Sequence, residues 1–250
     1  MRWVMALLLA LSFGGAAVAA EELAWEGQTV LVTGANRGLG LEFARQLQAA
    51  GATVIGTARK PEKAEELKAL GVRVEQLDVA DPASVAALAE RLDGAPLDVL
   101  LNNAGIFLER GDFESADPEA AMKVYNVNTV GPMRVTQALL PNLRLGQRKL
   151  IMNMSSGLGS IGNNDRGAFV SYRASKAALN MQTRTQAVEL AKENFICIAM
   201  SPGWVRTDMG GENASLSPAE SVSGMLGVLA PLTVEDSGRY LNHDGNELPW

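Results

Sequence analysis

Short aliphatic and β-branched runs alternate along this chain with longer stretches in which apolar positions recur every three or four residues. Strand-like runs fall at residues 29–32, 53–57, 72–77, 97–101, 149–154 and 195–200; helical periodicity fills 39–50, 61–70, 82–92, 118–140 and 172–192. Strands that read as continuous apolar runs between helices belong to a parallel sheet covered on both faces. The pattern therefore predicts one α/β domain of the doubly wound, Rossmann type. Asp81-Pro82 and Asp117-Pro118 mark two helix starts, since the acid can cap free N–H groups and proline suits the first helical position. Residues 207–223, with Gly210-Gly211, Asn213 and Pro218, interrupt the periodicity and predict a mobile surface loop between a strand and a helix. Loops at the carboxyl ends of such strands cover ligands.

Composition narrows the chemistry. The 250 residues carry 28 acidic against 22 basic side chains, a net charge of −6, and 47% are hydrophobic. A chain with no basic run offers no footprint for nucleic acid. His243 is the only histidine and Cys197 the only cysteine. Ser-His-Asp and Cys-His catalysis, multi-histidine metal sites and an internal disulfide are thereby excluded, and no metal is expected. Cys197, inside the apolar run 195–199, reads as core filler.

The amino terminus reads as an address. Arg2, the apolar stretch 3–11 and the small residues 16–20, followed by Glu21-Glu22, have the order of a secretory signal cut near Ala19 or Ala20. Residues 1–20 are then a signal peptide, 21–250 the catalytic domain, and the protein is exported to a periplasm or secreted. The alternatives are a retained leader that anchors the domain at a membrane and an apolar extension of a cytoplasmic protein.

The first strand runs into Thr33-Gly34-Ala35-Asn36-Arg37-Gly38-Leu39-Gly40. Glycines there let the backbone approach a pyrophosphate, and a helix amino terminus attracts it. The spacing is GxxxGxG rather than GxGxxG, so a plain glycine turn stays open as an alternative. After the second strand the chain reads Thr57-Ala58-Arg59, with arginine in place of the acid that would bind a free ribose 2′-hydroxyl. Arg37 and Arg59 either share a 2′-phosphate, favouring NADP(H) over NAD(H), or are two solvated surface arginines. Tyr172 and Lys176, four positions apart, share one helix face, where an ammonium beside a phenol favours phenolate and eases proton transfer. A tyrosine packed on a lysine stem is the structural alternative.

Read together with Asn102-Asn103-Ala104-Gly105, Asn126-Val127-Asn128, Met154-Ser155-Ser156 and Pro202-Gly203, the glycine loop and the Tyr-Lys pair resemble the short-chain dehydrogenase/reductase family over nearly all of residues 27–250. The stretches 153–160, 172–180, 202–211 and Leu248-Pro249-Trp250 are similar to its Sniffer and C-factor group, relatives of the carbonyl reductases. The resemblance implies an NADPH-dependent reduction of a small-molecule aldehyde or ketone by hydride transfer. It makes Tyr172 the general acid and Ser156 a hydrogen-bond donor to the substrate oxygen. Lys176 would hold the nicotinamide ribose and lower the Tyr172 pKa, and Asn128 would hold a water linking Lys176 to solvent. Asp78 and Val79 would lie at the adenine, Asn102, Asn103, Ala104 and Gly105 along the adenine ribose, and Pro202, Gly203, Val205 and Thr207 around the nicotinamide. Asn126 is the alternative to Asn128, and Ser155 to Ser156, because strand alternation aims only one serine into the cleft.

The separation of Ser156 from Tyr172 exceeds the family's usual one, and the extra residues, 161–168, are expected to shape the substrate mouth. Phe107, Leu158, Phe169, Trp204 and Met209 either line an apolar pocket there or belong to the core. The family's habit of pairing through two long helices, here 118–140 and 172–192, implies a homodimer or homotetramer. Two other functions compete: a low-turnover NADP-binding signalling or scaffold protein of the same fold, and a sugar-nucleotide epimerase or dehydratase, which the short chain and the glycine spacing disfavour.

Overall fold

A computed structural model of the chain describes residues 24–108 and 111–250. The expected signal peptide, residues 1–20, lies outside them. Seven parallel strands form one sheet in the order β3-β2-β1-β4-β5-β6-β7. They are β1 (Thr29–Val32), β2 (Thr53–Ala58), β3 (Arg73–Gln76), β4 (Val99–Asn102), β5 (Leu150–Met154), β6 (Ile196–Ser201) and β7 (Tyr240–Asn242). Between them run helices α1 (Gly38–Ala49), α2 (Glu65–Ala69), α3 (Pro82–Arg91), α4 (Pro118–Tyr125), α5 (Gly131–Leu145), α6 (Val170–Glu189) and α7 (Pro218–Leu229).

Successive strand residues point to opposite faces, and the two halves of the core divide accordingly. Val30, Val32, Met152 and Ile198 pack with Phe43 and Leu47 of α1 and Leu226 of α7 on one side. Leu31, Leu100, Ile151 and Cys197 pack with Leu88 of α3 and Leu139 of α5 on the other. Cys197 is fully buried, and burial pushes its thiol up to about 12, so it is an inert core residue. Both expected caps are present, the carboxylates of Asp81 and Asp117 accepting from Ala83 N and Glu119 N.

Three elements differ from the sequence expectation. The helix expected over 118–140 is interrupted: a π turn, Asn126–Val130, separates α4 from α5. Pro132 has no N–H to continue the α ladder, so the backbone widens just before it. The helix expected over 61–70 shrinks to a 3-10 turn at Pro61–Lys63 followed by the short α2. The break expected over 207–223 ends early, because Ser217 and Glu220 form a reciprocal capping box that starts α7 at Pro218. The residues before it form an internally bonded excursion, Val205 pairing with Leu216 and Trp204 Nε1 donating to the Gly210 carbonyl at 2.9 Å.

Candidate active site

The strand order reverses between β1 and β4, and a crevice opens there beyond the carboxyl ends of the strands. The glycine loop follows β1, Asn103-Ala104-Gly105 follows β4, Ser155-Ser156 follows β5, and Pro202-Gly203 follows β6. The topology thus delivers four of the sequence motifs to one edge of the sheet.

Gly34 and Gly38 have φ of +66° and +55°, the left-handed region that only glycine enters freely. A Cβ on Gly40 would lie 2.6 Å from Asn103 Nδ2 and 2.9 Å from Ala35 Cα, closer than atoms can approach. Asn103 braces the same turn, donating to the Thr33 and Gly34 carbonyls at 2.9 and 3.3 Å, while Thr33 Oγ1 accepts from Ala104 N at 3.0 Å. The loop leads into α1, whose amino terminus has no side-chain cap and no acid in its first turn. Asn36 is exposed and Leu39 half-buried beside it. A close-packed, positively polarised turn of this kind suits a phosphate group.

Arg59 is exposed just beyond β2. Arg37 is also exposed, and its guanidinium pairs at 2.7 Å with Asp208, so the glycine loop is tied to the excursion after β6. Thr207 lies on the same side, 3.7 Å from where a Cβ on Gly38 would stand. The Asp78 carboxylate accepts from Ala80 N at 3.0 Å, and Val79 is buried against the start of α5. Asn102 turns away from the crevice: fully enclosed, it donates to Thr136 Oγ1 and Asn153 Oδ1. Of the two asparagines at the end of β4, Asn103 is the one that meets the glycine loop. Pro202 is half-buried, Gly203 exposed, and Val205 buried.

Tyr172 lies in the first turn of α6 and Lys176 one turn later; both are buried. The Lys176 Nζ is 5.6 Å from the Tyr172 ring centre and donates to the Met154 carbonyl at 2.6 Å. Ser156 hydrogen-bonds the Tyr172 phenol with its hydroxyl, whereas Ser155 points inward, its Oγ donating to Asn180 Oδ1 at 2.5 Å. Alternation after β5 therefore aims Ser156, not Ser155, at the tyrosine. Asn128, on the π turn, is fully buried; its amide accepts from Ile106 N at 2.8 Å and donates to the Ile106 carbonyl at 2.9 Å. A Cβ on Gly105 would meet Asn128 Oδ1 at 3.4 Å and Lys176 Nζ at 3.8 Å, which puts Asn128, Gly105 and Lys176 side by side. Asn126 sits elsewhere, donating to the Ala80 carbonyl.

Burial dominates the electrostatics. It pushes the Tyr172 phenol up to about 12, against the lowering effect of the Ser156 hydrogen bond, and pulls the Lys176 ammonium down to about 7. The sequence expectation of a phenol acidified by Lys176 is not met in this state. The low-dielectric surroundings disfavour both charges more than the pair separation favours them.

The expected pocket residues divide. Phe107 packs edge-on to Tyr172 at 5.0 Å and near Phe169 at 5.6 Å, making an aromatic wall beside the phenol. Ala168 and Phe169 both adopt left-handed backbone, and Phe169 N is fixed to the Gly111 carbonyl. Trp204 and Met209 are exposed. Leu158 instead lines a hollow of about 330 Å³ with Phe113, Ile161 and Arg173, which contains none of Ser156, Tyr172 and Lys176. Among the described residues no cluster of His, Cys, Asp and Glu could hold a metal ion, and no helix is long and apolar enough to cross a membrane.

Comparison with known proteins agrees with this geometry. The model of a family described as short chain dehydrogenase matches residues 28–216. C-signal of Myxococcus xanthus is 42% identical over 167 residues, covering 66% of this chain and 99% of that protein. The NADPH-bound carbonyl reductase from chicken fatty liver superposes with a TM-score of 0.84 at 39% identity, covering 90% of this chain and all of the other. The carbonyl reductase Sniffer of D. melanogaster gives 0.85 at 32% identity with the same coverage.

Proposed function

Because the chain belongs to the short-chain dehydrogenase family, we propose that it is an NADPH-dependent carbonyl reductase that converts an aldehyde or ketone to an alcohol with Tyr172 as proton donor. The meeting of Ser156, Tyr172, Lys176 and Asn128 beyond the carboxyl ends of the strands carries this reading. With its pKa pushed up to about 12, Tyr172 keeps its proton throughout the neutral range, which a general acid must do until the substrate oxygen demands it. An alkoxide is a far stronger base than this phenolate, so the transfer still runs downhill. Ser156, bonded to the phenol, is the second hydroxyl facing the oxygen on which negative charge gathers, and two such donors stabilise the transition state more than the ground state.

The crevice residues fit a dinucleotide, since glycines stand where a Cβ would collide with backbone and with Asn103. Gly34, Asn36, Gly38, Leu39 and Gly40 would hold its pyrophosphate, Arg37 and Arg59 a 2′-phosphate, and Asp78, Val79, Asn103 and Ala104 its adenosine side. Gly105, Lys176, Pro202, Gly203, Val205 and Thr207 would flank its nicotinamide side. Bound there, the reduced nicotinamide supplies the hydride. Lys176 would hold the ribose hydroxyls and, in its ammonium form, would favour the phenolate left behind. Asn128, bonded to both backbone groups of Ile106, stands beside Lys176 and would hold a water linking Lys176 to solvent. The NADPH-bound state of the chicken carbonyl reductase supports the preference for NADPH.

Consumption of NADPH in preference to NADH by the protein, across a panel of aldehydes, ketones and quinones, tests the reading. Tight NADPH binding with no turnover of any panel member would favour the second reading, a low-turnover cofactor-binding signal protein, which the similarity to C-signal supports. Two further elements belong to the proposal. Residues 1–20 direct export, and a reporter fused after Glu22 that is active only in the cytoplasm would refute this. Copies pair through α4, α5 and α6, as the exposed Met122, Met133, Met181 and Val188 suggest; a monomeric mass by light scattering at micromolar concentration would contradict it.

A further inference from the structure

Beneath Ser156 lies a buried polar knot that the reaction itself does not use. Tyr240, on the edge strand β7 and fully buried, donates its hydroxyl to the Ser156 carbonyl oxygen. The side chains of Ser155 and Asn180 lie against the same hydroxyl. Asn180 accepts from Ser155 Oγ at 2.5 Å and donates to the Gly159 carbonyl at 3.3 Å. The turn from Ser156 to Gly159 is thus held at its first carbonyl by β7 and at its last by α6. Gly159 also packs tightly on Lys176, whose Cβ would lie 2.8 Å from a Cβ added there.

The carboxyl terminus closes the knot from outside. Trp250 stacks on Tyr240 at 5.3 Å, its carbonyl accepts from Gly162 N at 3.0 Å, and Leu248 N returns to the Tyr240 carbonyl at 2.8 Å. The last three residues therefore join β7 to the loop that follows Ser156. A serine hydroxyl swings with its own backbone, and the Ser156 carbonyl is anchored by a side chain 84 positions away.

From this arrangement we infer that Tyr240 is a positioning residue for the reaction: its hydroxyl, seated by Asn180 and Trp250, sets the angle at which Ser156 presents its own hydroxyl to substrate. The inference rests on the reading of Ser156 as a donor to the substrate oxygen. The ring of Tyr240 supplies packing, and its hydroxyl supplies alignment.

Tyr240→Phe separates the two, because it retains the ring and the Trp250 stack. In the full chain, kcat for carbonyl reduction is expected to fall about 10- to 100-fold, the effect of misplacing a reacting group by about 1 Å, with the NADPH Kd unchanged. Thermal unfolding confirms that the variant is folded. Placed in a Ser156→Ala background, Tyr240→Phe is expected to cost less than about twofold more, since the hydroxyl it aligns is already gone. Multiplying losses, or an undiminished kcat in Tyr240→Phe alone, would overturn the positioning role and leave the site reading intact. If Ser156→Ala alone leaves kcat unchanged, the site reading fails and takes this inference with it.

Discussion

Lys176 places a large strain on the fold, and removing its charge should make the protein more stable while disabling it. The side chain is buried and its pKa falls from 10.5 to about 7. The folded chain therefore gives up a proton that the unfolded chain keeps between those values, so stability rises with pH across that window. At about 1.4 kcal/mol for each pH unit, the full span amounts to ~5 kcal/mol of destabilisation below neutral pH. Lys176→Met keeps the length and apolar stem but loses the hydrogen bond to the Met154 carbonyl, a loss of about 1 to 2 kcal/mol. The variant should accordingly be about 3 kcal/mol more stable than the parent near pH 6, and the advantage should shrink steadily and vanish near pH 9. Urea unfolding of both proteins at several pH values and constant ionic strength measures the difference. An offset that is constant with pH, or a variant that is less stable throughout, would refute the reasoning. Carbonyl reduction by the same variant should fall by about 100-fold or more, since both ribose binding and phenolate stabilisation lose their cation.

Gly40→Ala forces a Cβ against Ala35 and Asn103; the expected outcome is about 1 to 3 kcal/mol of lost stability, read by denaturant unfolding, and an NADPH affinity weakened about 100-fold, read by fluorescence titration. Replacing Arg37 and Arg59 together by alanine should raise the Kd for NADPH by about tenfold or more while leaving that for NADH within about twofold, because only the 2′-phosphate loses its partners. An NADPH Kd that stays within about twofold of the parent value would assign the arginines to the surface alone.

Much of this architecture is legible in the chain because parallel strands buried on both faces are written as apolar runs, and the five central strands stand out on that ground, while the edge strand β3, Arg73-Val74-Glu75-Gln76, shows only as an alternation. Tyr240–Asn242 shows neither: three residues beside Gly238 and Gly245 are too short to show any period. Ser217 and Glu220 carry the capping signal that starts α7, but they lie within a stretch whose glycines and asparagine predict a loop. The family resemblance points to Asn128, yet the π turn that buries it depends on Pro132, which lies inside an unbroken helical periodicity. Spacing pairs Tyr172 with Lys176, the family resemblance points to Ser156, and alternation across the end of β5 separates the two serines. What no local pattern could disclose is the closure beneath them. Tyr240 and Trp250 reach Ser156 only because β7 is laid at the edge of the sheet beside β6. Nor does spacing reveal burial, which raises the Tyr172 pKa and lowers that of Lys176 to about 7.

The central claim is that Tyr172 delivers the proton that completes carbonyl reduction. Single-turnover oxidation of NADPH by an aldehyde or ketone accepted by the parent protein, compared with Tyr172→Phe, addresses it directly. Unchanged NADPH binding and a rate reduced by about a thousandfold or more, the scale of general acid catalysis, are expected. A variant that binds NADPH equally well and reduces the same substrate within about tenfold of the parent rate would contradict it.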